Sequence, residues 1–203
     1  MPALTPANDL VRARNVTASE VYALLGHHPY SSPTKIFDRL STPAIEQRFE
    51  QSEAMAIGVF MEPYVAKYAA KKLGLRLRAA TRSLEYKGPV NLCATPDYYV
   101  LGQRMLVEVK VSSILYGWDI DNLHPHYEYQ ARAQLACSDR DVCIIAALVG
   151  STFFHVEIVR DLQKERLMLD AVDKFWFNHV MTGIRPDPEP TQTRLRSAQV
   201  NRS

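Results

Sequence analysis

The run from Thr95 to Val111 constrains this chain more than any other stretch. It reads as two strands, 97–101 and 104–111, rich in Tyr, Val and Leu and joined by Gly102 and Gln103. Glycine at the first central position of a two-residue connection suits a type II′ turn. In that register Leu101 pairs with Arg104 and, counting outward, Asp97 lies directly opposite Glu108. Opposed residues of an antiparallel pair have Cβ atoms ~5 Å apart. Lys110, two residues beyond Glu108, projects from the same face, and Val107, Val109 and Val111 point to the other, where burial is expected. Two carboxylates and one ammonium therefore meet at one point. Facing carboxylates repel unless something positive lies between them, and a hard dication held by carboxylate oxygens and water fits that gap. Such an arrangement binds divalent metal and cuts a phosphodiester. A surface hairpin with a Glu–Lys ladder explains the charges too, but not the Pro96-Asp97 strand entry or the valine face.

Around this hairpin the pattern alternates helices and strands. Residues 1–15 are polar and expected to begin irregularly. Thr17 or Ser19 caps a short helix over 18–25, ended by Gly26. A second helix follows Pro33 to about Leu40, and a longer one spans 52–73, closed by Gly74. The longer helix carries Ile57, Phe60, Tyr64, Val65, Tyr68 and Leu73 at helical spacing, with Pro63 in its first turn or at a kink. Strands are predicted over 75–80, 83–86, 91–101 and 104–111, then a loop with Tyr116 and Trp118, and a helix over 125–138. A hairpin of 141–149 and 152–159 around Gly150-Ser151 and a helix over 161–181 complete the domain. The order predicts an α/β sandwich with a mixed central β-sheet flanked by helices. One domain is expected over 1–185, and a Pro- and Arg-containing tail over 186–203 has no core-forming pattern and is expected to be mobile.

Other residues are weaker signals. Glu62 is a carboxylate amid Val59, Phe60 and Met61; buried there it needs a partner, which a metal supplies. Its plainer role is placement near a positive helix N-terminus. Tyr127, Gln130 and Gln134 form one polar stripe, either a solvated helix face or a set of groups that orient water or a phosphate oxygen. Arg12 and Arg14, with Thr17 and Ser19, suit a phosphate but equally a charged N-terminal segment. Lys67, Lys71, Lys72, Arg76, Arg78 and Arg82 make a basic run that would track a DNA backbone, or simply a solvated face. The histidine pairs His27/His28 and His124/His126 receive no ligand role, and Tyr116 and Trp118 are loop anchors or base-stacking groups.

Composition narrows the class. A net charge of +2 means that nucleic-acid binding must come from local clusters of basic residues. Cys93, Cys137 and Cys143 cannot pair evenly and lack metal-ligand spacing, which fits a reducing cytoplasm and buried thiols. Three cysteines are also one short of a four-cysteine iron–sulfur cluster. No stretch approaches the length of a membrane span.

Pro96-Asp97 followed by Glu108-Val109-Lys110 resembles the motif of the PD-(D/E)xK nuclease superfamily, with its restriction-endonuclease-like core. The segments 16–21, 58–62 and 127–130 are more narrowly similar to the YqaJ-type viral recombinase exonucleases, the family of the lambda-phage exonuclease. That resemblance covers about 10–180 and implies a magnesium- or manganese-dependent 5′→3′ exonuclease on double-stranded DNA ends, with two ions per site. It implies Glu62, Asp97, Glu108 and the backbone carbonyl of Val109 as metal ligands, Lys110 on the attacking water, and Gln130 completing the site. It further implies that Arg12 and Ser19 hold the 5′-phosphate, that three copies form a ring, and that a single-strand annealing protein is the partner in a bacterial cytoplasm. Relatives often carry a second glutamine two residues after the first; here Arg132 stands there, a departure that would alter phosphate contacts more readily than metal binding, and whether Gln134 compensates is left open by the sequence. A PD-(D/E)xK endonuclease and a non-catalytic DNA-binding module are the alternatives.

Overall fold

A computed structural model describes residues 6–26, 28–43, 52–112 and 123–187. His27, Tyr116, Trp118 and the tail beyond Asp187 lie outside the described residues. The chain begins with α1 (Pro6–Ala13), β1 (Val16–Thr17), a 3-10 turn (Val21–Leu24), α2 (Pro33–Ser41) and α3 (Glu53–Leu73). Strands β2 (Leu77–Ala79), β3 (Leu84–Glu85), β4 (Leu92–Ala94), β5 (Tyr98–Val100) and β6 (Met105–Ser112) follow. Next come α4 (Pro125–Ala136), β7 (Val142–Val149), β8 (Thr152–Val159) and α5 (Leu162–Phe175), which runs into a π-helical turn (Trp176–Val180).

Five strands form the larger sheet in the order β2-β5-β6-β7-β8. Its β6–β7 pair is parallel and its other pairs are antiparallel, so the sheet is mixed, as expected. A smaller sheet has the order β1-β4-β3. The single strand expected over 91–101 breaks in two around Pro96, which has no N–H for a ladder. One half, β4, joins the small sheet and the other, β5, joins the large one, leaving Asp97 at the junction.

Strand β6 is covered on both faces. On one, Val65, Ala66 and Ala69 of α3 pack on Val107, Val109, Ile144 and Ala146, with Val111 partly buried beside them. On the other, Ala131 and Leu135 of α4 pack on Leu106, Cys143 and Ile145. A third cluster joins Val16, Val21, Ile36, Leu92, Met168, Val172 and Phe175.

Four expectations need correction. Residues 6–13 are helical, with Asn8 buried and bonded to the Thr81 carbonyl and the Ser83 N–H. The helix expected over 18–25 shrinks to the 3-10 turn, because Val16 and Thr17 are drawn into β-pairing with Leu92 and Cys93. Of the two placements expected for Pro63, the first turn is excluded, because it lies well inside α3. Ile57, Phe60, Tyr64 and Tyr68 are exposed, and the buried stripe of α3 is Glu62, Val65, Ala66 and Ala69. Small side chains let this helix approach the sheet closely, which large ones would prevent.

Candidate active site

The hairpin pairs Tyr98 with Val107 and Tyr99 with Leu106, the register expected from the Gly102 turn. Gly102 takes φ 79°, a left-handed conformation that a side chain would oppose. One residue outward, the same register sets Asp97 opposite Glu108. Both are buried, at 5% and 4% exposure. The Ala80 N–H donates to the Asp97 carbonyl at 2.8 Å, and the Val109 N–H donates to Asp97 Oδ2 at 2.8 Å.

Three side chains converge on Glu108. Lys110 Nζ donates to Oε1 at 2.6 Å, Gln130 Nε2 donates to Oε1 at 2.6 Å, and Gln134 Nε2 donates to Oε2 at 2.5 Å. Lys110 also donates to Gln130 Oε1 at 3.0 Å and lies 5.8 Å from the Tyr127 ring centroid. The polar stripe of α4 is thus turned toward the carboxylate, not toward solvent. Gln134 is fully buried, and its carbonyl oxygen accepts from the Cys143 thiol at 3.5 Å. The role of Cys143 was not visible in its spacing. For Gln134 the signal was a glutamine repeated at i+4 from Gln130, flanked by Ala131, Ala133, Leu135 and Ala136.

Burial, and then the Glu108 charge, pushes the Asp97 carboxyl up to about 8, against the pull of Lys110 and the Val109 N–H. Burial also works against the Lys110 ammonium, but Glu108 and Asp97 outweigh it and hold Lys110 above its ordinary value. Two buried acids thus share one counter-charge, and a divalent cation bound through their oxygens would relieve the repulsion. The donor set therefore fits a hard metal ion. Among the described residues no group of three or more Asp, Glu, His or Cys side chains is placed to hold one. Glu62 is buried at 6% exposure on α3, the helix that covers the valine face of β6.

The remaining candidates lie elsewhere. Arg12 ends α1, and Ser19 is exposed just beyond β1, with its hydroxyl 3.2 Å from that of Thr17. Arg39 braces this segment, donating to the Arg12 carbonyl at 2.7 Å, the Asn15 carbonyl at 2.9 Å and both Glu20 oxygens. Arg14 is turned toward Glu85 at 3.2 Å. Arg132 is buried and bonded to Glu128 and the Val159 carbonyl, so it ties α4 to β8 instead of standing in for a second glutamine. All six residues of the basic run are exposed. His28, His124 and His126 form a ring cluster in which burial depresses all three, His126 to about 3.

Comparison with known proteins identifies relatives of this fold. The structure is similar to an alkaline exonuclease (LHK-Exo) from Laribacter hongkongensis, with a TM-score of 0.72 and 19% identity over 89% of this chain and 94% of that one. LHK-Exo in complex with dAMP gives 0.69 and 18% over 88% and 93%. A phage-related exonuclease from Haemophilus somnus gives 0.61 and 16% over 86% and 99%. No curated protein sequence matches. These neighbours establish a shared mixed α/β fold. The family model described as the YqaJ-like viral recombinase domain matches residues 9–141, more than half of the chain. On that match the chain belongs to the YqaJ-like viral recombinase family.

Proposed function

We propose that this protein is a metal-dependent 5′→3′ exonuclease. It degrades one strand of linear double-stranded DNA, releases mononucleotides and leaves a 3′ single-stranded tail for annealing. The convergence of Asp97, Glu108 and Lys110 carries this reading. The dAMP in the LHK-Exo complex, a deoxynucleoside monophosphate, is of the same class as the proposed product.

Asp97, Glu108, the Val109 carbonyl and, on the family resemblance, Glu62 would hold one or two magnesium or manganese ions. Bound there, such ions would supply acidification of the attacking water and neutralisation of charge on the leaving oxygen. Lys110 sets a positive charge beside Glu108, where it orients the water and stabilises charge developing on the phosphoryl group. Gln130 bonds both Lys110 and Glu108 and keeps the pair in register. Arg12 and Ser19 receive the 5′-phosphate. A ring of three copies, a single-strand annealing partner and a bacterial cytoplasm complete the proposal.

The deciding experiment digests linear duplex labelled at the 5′ or 3′ end, with and without magnesium. Early loss of the 5′ label as mononucleotide, only with metal, is the expected result. Cleavage of covalently closed circles would point instead to an endonuclease. Lys110→Ala and Glu108→Gln should each lower turnover by roughly 10²–10⁴-fold while DNA-end binding persists. Near-normal turnover by either variant would remove that residue from the chemistry. Arg12→Ala should slow digestion of 5′-phosphorylated ends selectively, and equal slowing on 5′-hydroxyl ends would contradict its role.

A further inference from the structure

Gln134 is a polar side chain in a helix half that is otherwise buried and largely apolar. It has no access to water, yet both ends of its amide are engaged: Nε2 on Glu108 at 2.5 Å and Oε1 under the Cys143 thiol at 3.5 Å. Cys143 sits on β7 opposite Leu106, one strand over and two positions along from Glu108. Cys143 is fully buried, and its S–H is placed to donate to the Gln134 amide oxygen. An amide turned the other way would set oxygen against carboxylate oxygen and an NH2 group against the S–H. The thiol therefore disfavours the wrong orientation. Gln130 holds the other oxygen of Glu108. Together the two glutamines, one helical turn apart, fix the plane of that carboxylate.

We propose that Gln134 is a positioning residue that orients Glu108 for metal binding, and that Cys143 sets the direction of the Gln134 amide. This deepens the nuclease reading, on which it rests for the role of Glu108. Partners that orient a ligand side chain typically change metal affinity or activity by 10–100-fold when removed. Arg132, on the same helix, is committed to Glu128.

The test titrates manganese into the full, metal-free chain by calorimetry, without DNA. Gln134→Met keeps length and volume but loses the donor. It should bind manganese ~10–100-fold more weakly and lower kcat, with KM for linear duplex changed less than about threefold. Cys143→Ala should weaken manganese binding by roughly 3–10-fold. Cys143→Ser, whose hydroxyl can replace the S–H, should restore it. Circular dichroism and melting curves check folding, and if Gln134→Met does not fold, the Cys143 pair decides. Unchanged manganese affinity in Gln134→Met, a rise in KM alone, or equal affinities in Cys143→Ala and Cys143→Ser would overturn the proposal. Wild-type chain that binds manganese but leaves duplex DNA intact would instead sink the nuclease reading.

Discussion

Asp97 and Glu108 face each other but are held differently. Glu108 receives three side-chain donors, whereas the side chain of Asp97 receives a backbone N–H. The consequence is a pH dependence of fixed sign. Burial raises the Asp97 value from 3.8 to about 8. Across that window the folded chain keeps a proton that the unfolded chain has lost. Stability from this group is full below the unfolded value and is lost as pH rises through the folded one. The metal-free protein should therefore melt lower at pH 8 than at pH 5. Each pH unit contributes at most ~1.4 kcal/mol, and ~2–4 °C accompanies each kcal/mol in a chain of this size. Asp97→Asn should flatten the trend, and magnesium should oppose it by favouring the ionised carboxylate. Melting curves at both pH values, with and without Asp97→Asn, check this. The Asp-Glu-Lys triplet was legible in the sequence because β-register is simple counting once a turn is placed. Burial is not countable, so the depth of Gln134 and the thiol contact of Cys143 were not.

At the level of elements, the hairpin emerged with its expected register, and α3 did not present its expected face. Alternation in β6 allows one buried valine stripe, so there is nothing to confuse. Helix α3 carries large apolar residues on its outer side and small ones toward the sheet, so periodicity alone pointed the wrong way. The small side chains are the ones that set its distance from the sheet. Ala69 is fully buried against the sheet, and Ala69→Leu should destabilise the fold by about 1–3 kcal/mol through overpacking. Chemical denaturation reads that loss directly. An equal effect from Tyr68→Leu, at an exposed neighbour, would show that the helix is not seated as described. The split of the expected 91–101 strand was likewise written in Pro96, whose missing N–H ends a ladder. Which sheet each half would join depends on partners distant in sequence.

On the scale of the whole molecule, Arg39 links pieces that composition would leave unrelated. From α2 it reaches the end of α1, the residue before β1 and the Glu20 carboxylate. Arg39→Met would leave Glu20 without its cation and take a donor from each of the Arg12 and Asn15 carbonyls, the former keeping the Asn15 N–H at 3.5 Å, at a cost of about 2–4 kcal/mol. Lower thermal stability, together with weaker preference for 5′-phosphorylated ends, is the expected outcome. A stability loss with that preference intact would separate the brace from the proposed phosphate site. Among the described residues no helix is long and apolar enough to cross a membrane.

The short parallel contact between β1 and β4 reaches further than its two residue pairs suggest. It bolts the stretch between Arg12 and Ser19 to Leu92 and Cys93, and from Cys93 only Ala94, Thr95 and the stiff Pro96 intervene before Asp97. On the proposed function, a tug on the amino-terminal arm from a docked strand terminus would be delivered along that short tether to the acid itself, so that grip and cut would be mechanically one assembly.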